Sequence, residues 1–333
     1  MKLICAPMAT LSHEAFRRIT ESFGGCHEYF TEMINATSLL HNGPWEKYYL
    51  INETAPEKIV WQLTGSEAEK VAAAVPLVCE HGGIGVDLNM GCSAPQIYRT
   101  GAGIAWMIKD ISQTRNLVKL VKKELEKAES LYGRHFRFSV KCRLGDEDYT
   151  KEKYFDFIQM LYDEGVELLT LHPRTKKEKL ARFLPKYEMA EETACRFKNL
   201  QVYVNGNIKD LPSALYAAKL CPSVKGMMIA RQAAVSPWIF SLLDSKLNSN
   251  PLKVDKVDRM QTALDFTDYV EKYQPEEFYR TRIQRFFAYY CSQFFFGHAF
   301  SAEVLNYTGI EDTKKKIEGY FERNPHERFL ELN

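Results

Sequence analysis

No window of this 333-residue chain approaches the ~20 consecutive apolar residues of a membrane-spanning helix. The opening MKLICAPMAT turns polar too soon for a secretory signal. Charge of one sign is not in excess either: 44 Lys and Arg stand against 43 Asp and Glu. A global attraction to nucleic acid or to an acidic membrane is therefore not expected, and any such affinity must come from a local patch. The eight cysteines never fall into a CxxC or CxxxC spacing, which argues against zinc ribbons and redox pairs, and no metal site is expected. A chain of this length needs no disulfide scaffold, so a reducing cytoplasm is expected, with most thiols buried and inert. The GxGxxG fingerprint is missing as well. The first strand runs instead into Ala6-Pro7-Met8-Ala9, which disfavours a doubly wound dinucleotide fold.

What is present is a core-forming composition, 45 % hydrophobic and 26 % charged, with a regular alternation. Short β-branched and aromatic runs lie at 3–8, 28–34, 58–65, 85–92, 137–145, 167–174, 201–207 and 226–231. Amphipathic segments such as 67–79, 112–131, 151–164 and 211–220 separate them. Eight strands alternating with helices predict an α/β fold, a (β/α)8 TIM barrel, over residues 1–240. Asn248-Ser249-Asn250-Pro251 reads as a linker. Beyond it the period is helical without strand runs, with helices expected at 254–273, 276–296, 302–307 and 313–322, so residues 250–333 predict a small all-α bundle. No unpaired apolar stripe is evident, and a monomer is expected.

Active sites of such barrels lie at the C-terminal ends of the strands. Side-chain parity sharpens what stands there. Lys141 and Arg143 share one face of their strand, opposite Val140 and Cys142, and must point into the barrel mouth, because the helix-facing side is apolar. The same parity pairs His172 with Arg174. Several cations converging on one mouth repel unless an anion is bound, and a phosphate-bearing cofactor supplies one. The ends of strands seven and eight, with Asn205-Gly206 and Arg231, are where barrels commonly hold phosphate. The plainer reading of Lys141 or Arg143 alone is an internal ion pair with Asp87.

These residues sit in a series of motifs: APMAT (6–10) with Phe16-Arg17, WQLTG (61–65), GVDLNMGC (85–92), GAGIAWM (101–107), SVKCRLG (139–145), LTLHPRT (169–175), VNGN (204–207) and MMIAR (227–231). In that order, each at a strand end or adjoining loop, the series resembles the tRNA-dihydrouridine synthase family over essentially the whole barrel. The resemblance implies an FMN-binding barrel followed by a helical tRNA-binding domain. It also implies reduction of the C5=C6 bond of specific uridines in tRNA, with NADPH (or NADH) as electron source. Carried over by position, Pro7, Met8 and Ala9 would line the flavin, Gln62 would bond its isoalloxazine edge, and Lys141 would place charge beside N1–C2. His172 would lie near the flavin or its phosphate, which Asn205, Gly206, Asn207, Ala230 and Arg231 would hold. Asn89 would position the uracil, with Arg143 and Arg174 on the substrate side. Cys92 would deliver a proton to C5 after hydride transfer to C6, as a thiol with an ordinary pKa near 8.5 stays protonated at neutral pH.

Three departures from the family pattern stand out: Ser93 where Pro usually follows the cysteine, Asn207 for the usual Asp, and Ala230 for the usual Gly. A uridine inside folded tRNA must be turned out of its stack to react, and this needs a surface that recognises backbone and shape. Between Phe278 and Phe300 stand Arg280, Arg282, Arg285 and His298, ten aromatics and no acidic residue. The aromatics read as bundle core and the arginines as phosphate contacts. The alternative enzyme is a dihydroorotate dehydrogenase-like FMN reductase acting on a small pyrimidine. It would leave the helical appendage without a purpose.

Overall fold

The structure, a computed structural model, describes residues 1–146, 150–178 and 183–332. The β-branched and aromatic runs become eight parallel strands: β1 (Lys2–Cys5), β2 (Glu28–Phe30), β3 (Ile59–Thr64), β4 (Gly85–Met90), β5 (Arg137–Cys142), β6 (Leu168–Leu171), β7 (Gln201–Asn205) and β8 (Gly226–Ile229). Each pairs with the next, and β8 returns to β1 through Lys2↔Gly226 to Cys5↔Ile229, closing the barrel. A two-residue strand, Ile34–Asn35, pairs with the end of β3. It belongs to the run read as one strand over 28–34, which breaks after Phe30.

The strands are shorter at their C-terminal ends than the runs suggest, for a local reason. At the first, Pro7 has no N–H for the ladder, and the Ser12 hydroxyl takes over by donating to the Ala6 carbonyl and accepting from Met8 N–H, at 2.7 and 2.9 Å. Helix boundaries follow the same chemistry. Among the surrounding helices are α1 (Glu14–Glu21), α2 (Ile111–Tyr132), α3 (Lys151–Asp163), α4 (Tyr187–Arg196), α5 (Leu211–Leu220), α6 (Arg231–Val235) and α7 (Ile239–Leu247). Asp110 caps α2 by accepting from Ser112 N–H at 2.9 Å, while Asp210 and Ser213 form a capping box on α5. The segment read as one helix over 67–79 is two, Ala68–Ala73 and Val75–Cys79, with Pro76 in the first turn of the second.

Register sorts the barrel interior into layers. At the N-terminal end, buried Glu28 takes a two-pronged hydrogen bond from Arg137 (2.9 and 2.7 Å) and further bonds from Lys2 and the Tyr203 hydroxyl. Above it lie Ile4, Phe30, Val60, Leu168 and Met228. Higher still, the ladder sets Gln62 beside Asp87 beside Ser139, and then Asn89 beside Lys141 beside Thr170. Inside, the barrel is thus apolar in the middle and polar toward the mouth.

After the barrel come α8 (Arg259–Tyr273), α9 (Glu276–Tyr290), α10 (Gly297–Leu305) and α11 (Ile310–Arg323). One expectation is corrected here: this part is not free of strands, because Lys256–Asp258 pairs antiparallel with Phe329–Glu331. The stretch read as a helix over 276–296 ends at Tyr290 and tightens into a 3-10 turn, Cys291–Gln293. Of the ten aromatics between Phe278 and Phe300, all read as core, five are buried: Phe286, Phe287, Tyr290, Phe294 and Phe300. Phe286 stacks on Phe266 at 3.8 Å and Phe300 on Tyr320 at 4.1 Å, while Phe295 is 86 % exposed. The helices share one core with the barrel: Phe16 of α1 meets Phe286 of α9 edge-on. A buried ion pair, Arg282 Nη1 to Glu32 Oε1 at 2.9 Å, crosses the junction, with both side chains 5 % exposed or less.

That pair generates the first prediction. Arg282→Met strands a buried carboxylate and is expected to lower unfolding stability in urea by about 3–5 kcal/mol. The double variant Glu32→Gln/Arg282→Met is expected to lose less, which a purely steric role for Arg282 would not produce.

Candidate active site

Strand ends deliver four groups to one side of the mouth. Asn89, next to last in β4, is 8 % exposed, and its Oδ1 accepts from the backbone N–H of Gly91 (3.3 Å) and Cys92 (3.0 Å). Its Nδ2 donates to Gln62 Oε1 at 2.8 Å, and Gln62 Nε2 donates to Asp87 Oδ2 at 2.7 Å. The thiol of Cys92 is half-buried, whereas among the other cysteines only Cys195 is exposed. The glycine-rich loop folds back over Cys92. Ile104 N–H donates to the Cys92 carbonyl, and Gly103, at φ +62°, lies so close that a Cβ there would sit 2.4 Å from that carbonyl oxygen. Gly91 serves packing as well: its Cα faces the Lys141 and Cys142 backbone of β5, 3.3–3.4 Å from where a Cβ would stand.

Across the mouth the cations gather as parity predicts. Lys141 Nζ donates to Asn205 Oδ1 at 3.3 Å, and Asn205 Nδ2 donates to the Met228 carbonyl. The ion pair with Asp87 does not form; Asp87 accepts from Gln62 and Ser139 instead. Arg143 donates to the carbonyls of Gly91 and Thr175. Arg174 is fully buried and donates to the Phe183 carbonyl and to Asn207 Oδ1, while its Nε and Nη1 have no partner. His172 is buried with Nε2 unpartnered. Burial, with Lys141, Arg143, Arg174 and Arg231 around it, holds its pKa well below the ordinary histidine range, so the ring is neutral. Burial and the neighbouring Arg143 pull the Lys141 ammonium down to about 8. No carboxylate among the described residues pairs with Lys141, Arg143, Arg174 or Arg231.

A cavity of about 650 Å³ opens beside these groups, lined among others by Arg143, His172, Asn205, Gly206, Ala230 and Arg231. Its size is that of ligand sites in general. Gly206 at φ +129° and Asn207 at φ +53° form its tight turn, and the Tyr187 hydroxyl fixes that turn by bonding the Gly206 carbonyl at 2.5 Å. Pro7, Met8, Ala9, Gln62, Lys141 and Cys92 do not line this cavity; they lie along the neighbouring mouth. Arg280 and Arg285 are exposed on α9, with Arg285 bonded to Thr10 at the end of β1. Arg282, grouped with them in the sequence, is corrected: its guanidinium is buried against Glu32 and Gln274, and it presents nothing to a phosphate. Asp87, which the sequence offers only as an ion-pair partner, and Ser139, Gly103 and Tyr187, which it does not single out, are further residues of the site. The parity of Asp87 with Asn89 could have found the first, whereas nothing local marks Tyr187.

A barrel that gathers cations at its strand ends, paired with no carboxylate among the described residues, around a ligand-sized cavity and beside a half-buried thiol, has the layout of an α/β-barrel enzyme. The comparison with known proteins narrows this. Residues 4–323 match the sequence model of the family described as Dihydrouridine synthase (Dus), and the chain belongs to that family. It is 30 % identical over 280 residues to a "Probable tRNA-dihydrouridine synthase" of Aquifex aeolicus, covering 83 % of this chain and 82 % of that protein. Identity to "tRNA-dihydrouridine synthase B" of Pseudomonas putida is 26 % over 266 residues, 79 % and 74 % of the two chains. The human "tRNA-dihydrouridine(47) synthase [NAD(P)(+)]-like" protein is 27 % identical over 270 residues, 80 % of this chain but 39 % of that longer protein.

The close approach of Gly103 to Cys92 is testable in the purified protein. Gly103→Ala must either leave its left-handed conformation or push the Cys92 carbonyl away. We expect a loss of more than about 1 kcal/mol of stability and a changed alkylation rate at Cys92. An unchanged melt and an unchanged rate would show that the loop does not depend on this contact.

Proposed function

We propose that this chain reduces the C5=C6 bond of specific uridines in tRNA to 5,6-dihydrouridine, with FMN as resident cofactor and NADPH (NADH being the other candidate) as reductant. The observation that carries the reading is the juxtaposition of the half-buried Cys92 thiol with cations around the adjoining cavity that pair with no carboxylate among the described residues. The residues present suit a phosphate-bearing cofactor. His172 keeps an unpartnered buried nitrogen, and Asn205, Gly206, Asn207, Ala230 and Arg231 line the cavity together. In this reading they hold the ribityl phosphate. Pro7, Met8, Ala9, Gln62 and Lys141 border the ring. Bound flavin, once reduced, supplies the hydride that goes to uracil C6.

The chain's own residues complete the addition. Cys92 holds the proton destined for C5, so that hydride and proton together saturate the double bond. Asn89 fixes the backbone at Cys92 and has one N–H left after bonding Gln62, available to the base. Arg143, between the Gly91 carbonyl and the cavity, and Arg174 flank the substrate side. Residues 1–240 act as the cofactor-binding part. Residues 250–333 offer the RNA a partly basic rim, with exposed Arg280 and Arg285 on α9 as phosphate contacts. The enzyme works as a cytoplasmic monomer.

Two measurements test this. Purified protein incubated with unmodified tRNA and NADPH is expected to form dihydrouridine detectable by mass spectrometry, with Cys92→Ala slower by about 10²–10⁴-fold. Flavin bound without product on any tRNA would redirect the search to small pyrimidines. The second measurement is pH-dependent binding. A bound anion keeps Lys141 protonated, so above the free-protein value of about 8 the complex holds more protons than the free protein. FMN affinity, read by quenching of its fluorescence, is therefore expected to fall as pH rises beyond that point, and Lys141→Met to flatten the dependence.

A further inference from the structure

One buried acid in the barrel has no role in the reaction as described so far. Asp87, on β4, is fully buried and touches neither the cavity nor Cys92. Its Oδ1 accepts from the Ser139 hydroxyl and its Oδ2 from Gln62 Nε2, both at 2.7 Å. From there the bonds continue without a gap: Gln62 Oε1 accepts from Asn89 Nδ2, and Asn89 Oδ1 accepts from Cys92 N–H. We propose that Asp87 is a positioning residue for Cys92, acting through the carboxamides of Gln62 and Asn89.

The inference rests on the reading of Cys92 as proton donor, but the geometry behind it is independent of that reading. A carboxylate is an acceptor only. Gln62 must therefore turn its NH2 toward Asp87, which leaves its carbonyl for Asn89. Asn89 must then turn its NH2 toward Gln62, which leaves its own carbonyl for the Cys92 N–H. Two amides that could each face either way are thus set by one charge. The charge also strengthens the row. Each amide that donates to a negative neighbour becomes a better acceptor at its other end, so the hold on the Cys92 N–H exceeds that of an isolated bond. Asp87 is ionised at neutral pH. Burial pushes its carboxyl up to about 6, against the hydrogen bonds from Gln62 and Ser139 and the charges of Lys141 and Arg137.

The expected consequence is a Cys92 whose backbone position responds to a residue three hydrogen bonds away. The full-length protein labelled with ¹⁵N-cysteine gives one amide signal per cysteine, and Cys92→Ser identifies that of Cys92. Asp87→Asn keeps the size and removes the charge. We expect the Cys92 amide proton to move upfield as its hydrogen bond weakens, the remote Cys195 and Cys291 signals to stay in place, and turnover on tRNA to fall more in kcat than in KM. The double variant Gln62→Glu/Asp87→Asn returns the charge one link closer to Cys92. The carboxylate introduced at position 62 would accept from Asn89 and from the carboxamide introduced at position 87, which would itself still accept from Ser139. Here the Cys92 signal is expected to return to its wild-type position or beyond it. A signal unmoved in the single variant, or left displaced in the double, overturns the proposal. Should Asp87→Asn not fold, the double variant decides alone: a folded protein with the Cys92 signal at or downfield of its wild-type position supports the relay, and an unfolded protein or an upfield signal overturns it. If the signals move as expected while Cys92→Ala makes dihydrouridine at the wild-type rate, the relay stands and the donor assignment falls.

Discussion

Positive charge that meets no paired carboxylate among the described residues is the condition around which the mouth of this barrel is organised. Lys141, Arg143, Arg174 and Arg231 stand close enough to His172 to depress its proton affinity, and Arg143 does the same to Lys141. The protein meets this repulsion by keeping His172 neutral and by making the Lys141 ammonium easier to lose. Arg143 and Arg174, which cannot lose protons, spend their N–H groups on backbone carbonyls and on Asn207. An anion in the adjoining cavity removes the repulsion all at once. Ligand binding and the stability of the rim are therefore coupled, as they are wherever a ligand binds the folded state alone.

Much of this was legible in the chain. The eight strands and their order follow from the alternation of β-branched runs with helical segments, and parity alone brings Lys141 to the mouth. What could not be read is what lies far apart in sequence and meets only in space. Arg282 looked like its neighbours Arg280 and Arg285, three basic residues on one helix. Only the partner across the junction, Glu32, separates it from them. The strand pair Lys256–Asp258 with Phe329–Glu331 escaped for the same reason: three-residue strands joined across the whole helical bundle leave no local pattern. Pro76, by contrast, announced the helix break that the amphipathic period over 67–79 concealed.

The two ends of the barrel illustrate different uses of buried charge. At the N-terminal end, Arg137, Lys2 and Tyr203 all donate to Glu28 and form a plug. At the C-terminal end the acid is present too, as Asp87, but it is placed one layer below the cations and bonded to the Gln62 carboxamide and the Ser139 hydroxyl. It feels the Lys141 charge without forming an ion pair with it, and its hydrogen bonds run along the row that ends at Cys92. Barrels of this class keep their chemistry at the C-terminal face and their stability at the other, and here the difference is visible in which acid is allowed a cation.

The Arg282–Glu32 pair has a consequence for how such proteins can be recombined. A helical appendage joined to its barrel only by a linker and an apolar contact could be exchanged between relatives as a module. Here a cut after residue 250 would leave a buried acid behind on the barrel and carry a buried base away with the helices. A chimera whose new appendage lacks a cation at the position of Arg282 starts from a barrel with an unmatched internal charge. Shuffling of the two parts is consequently constrained to partners that agree at a single pair of residues.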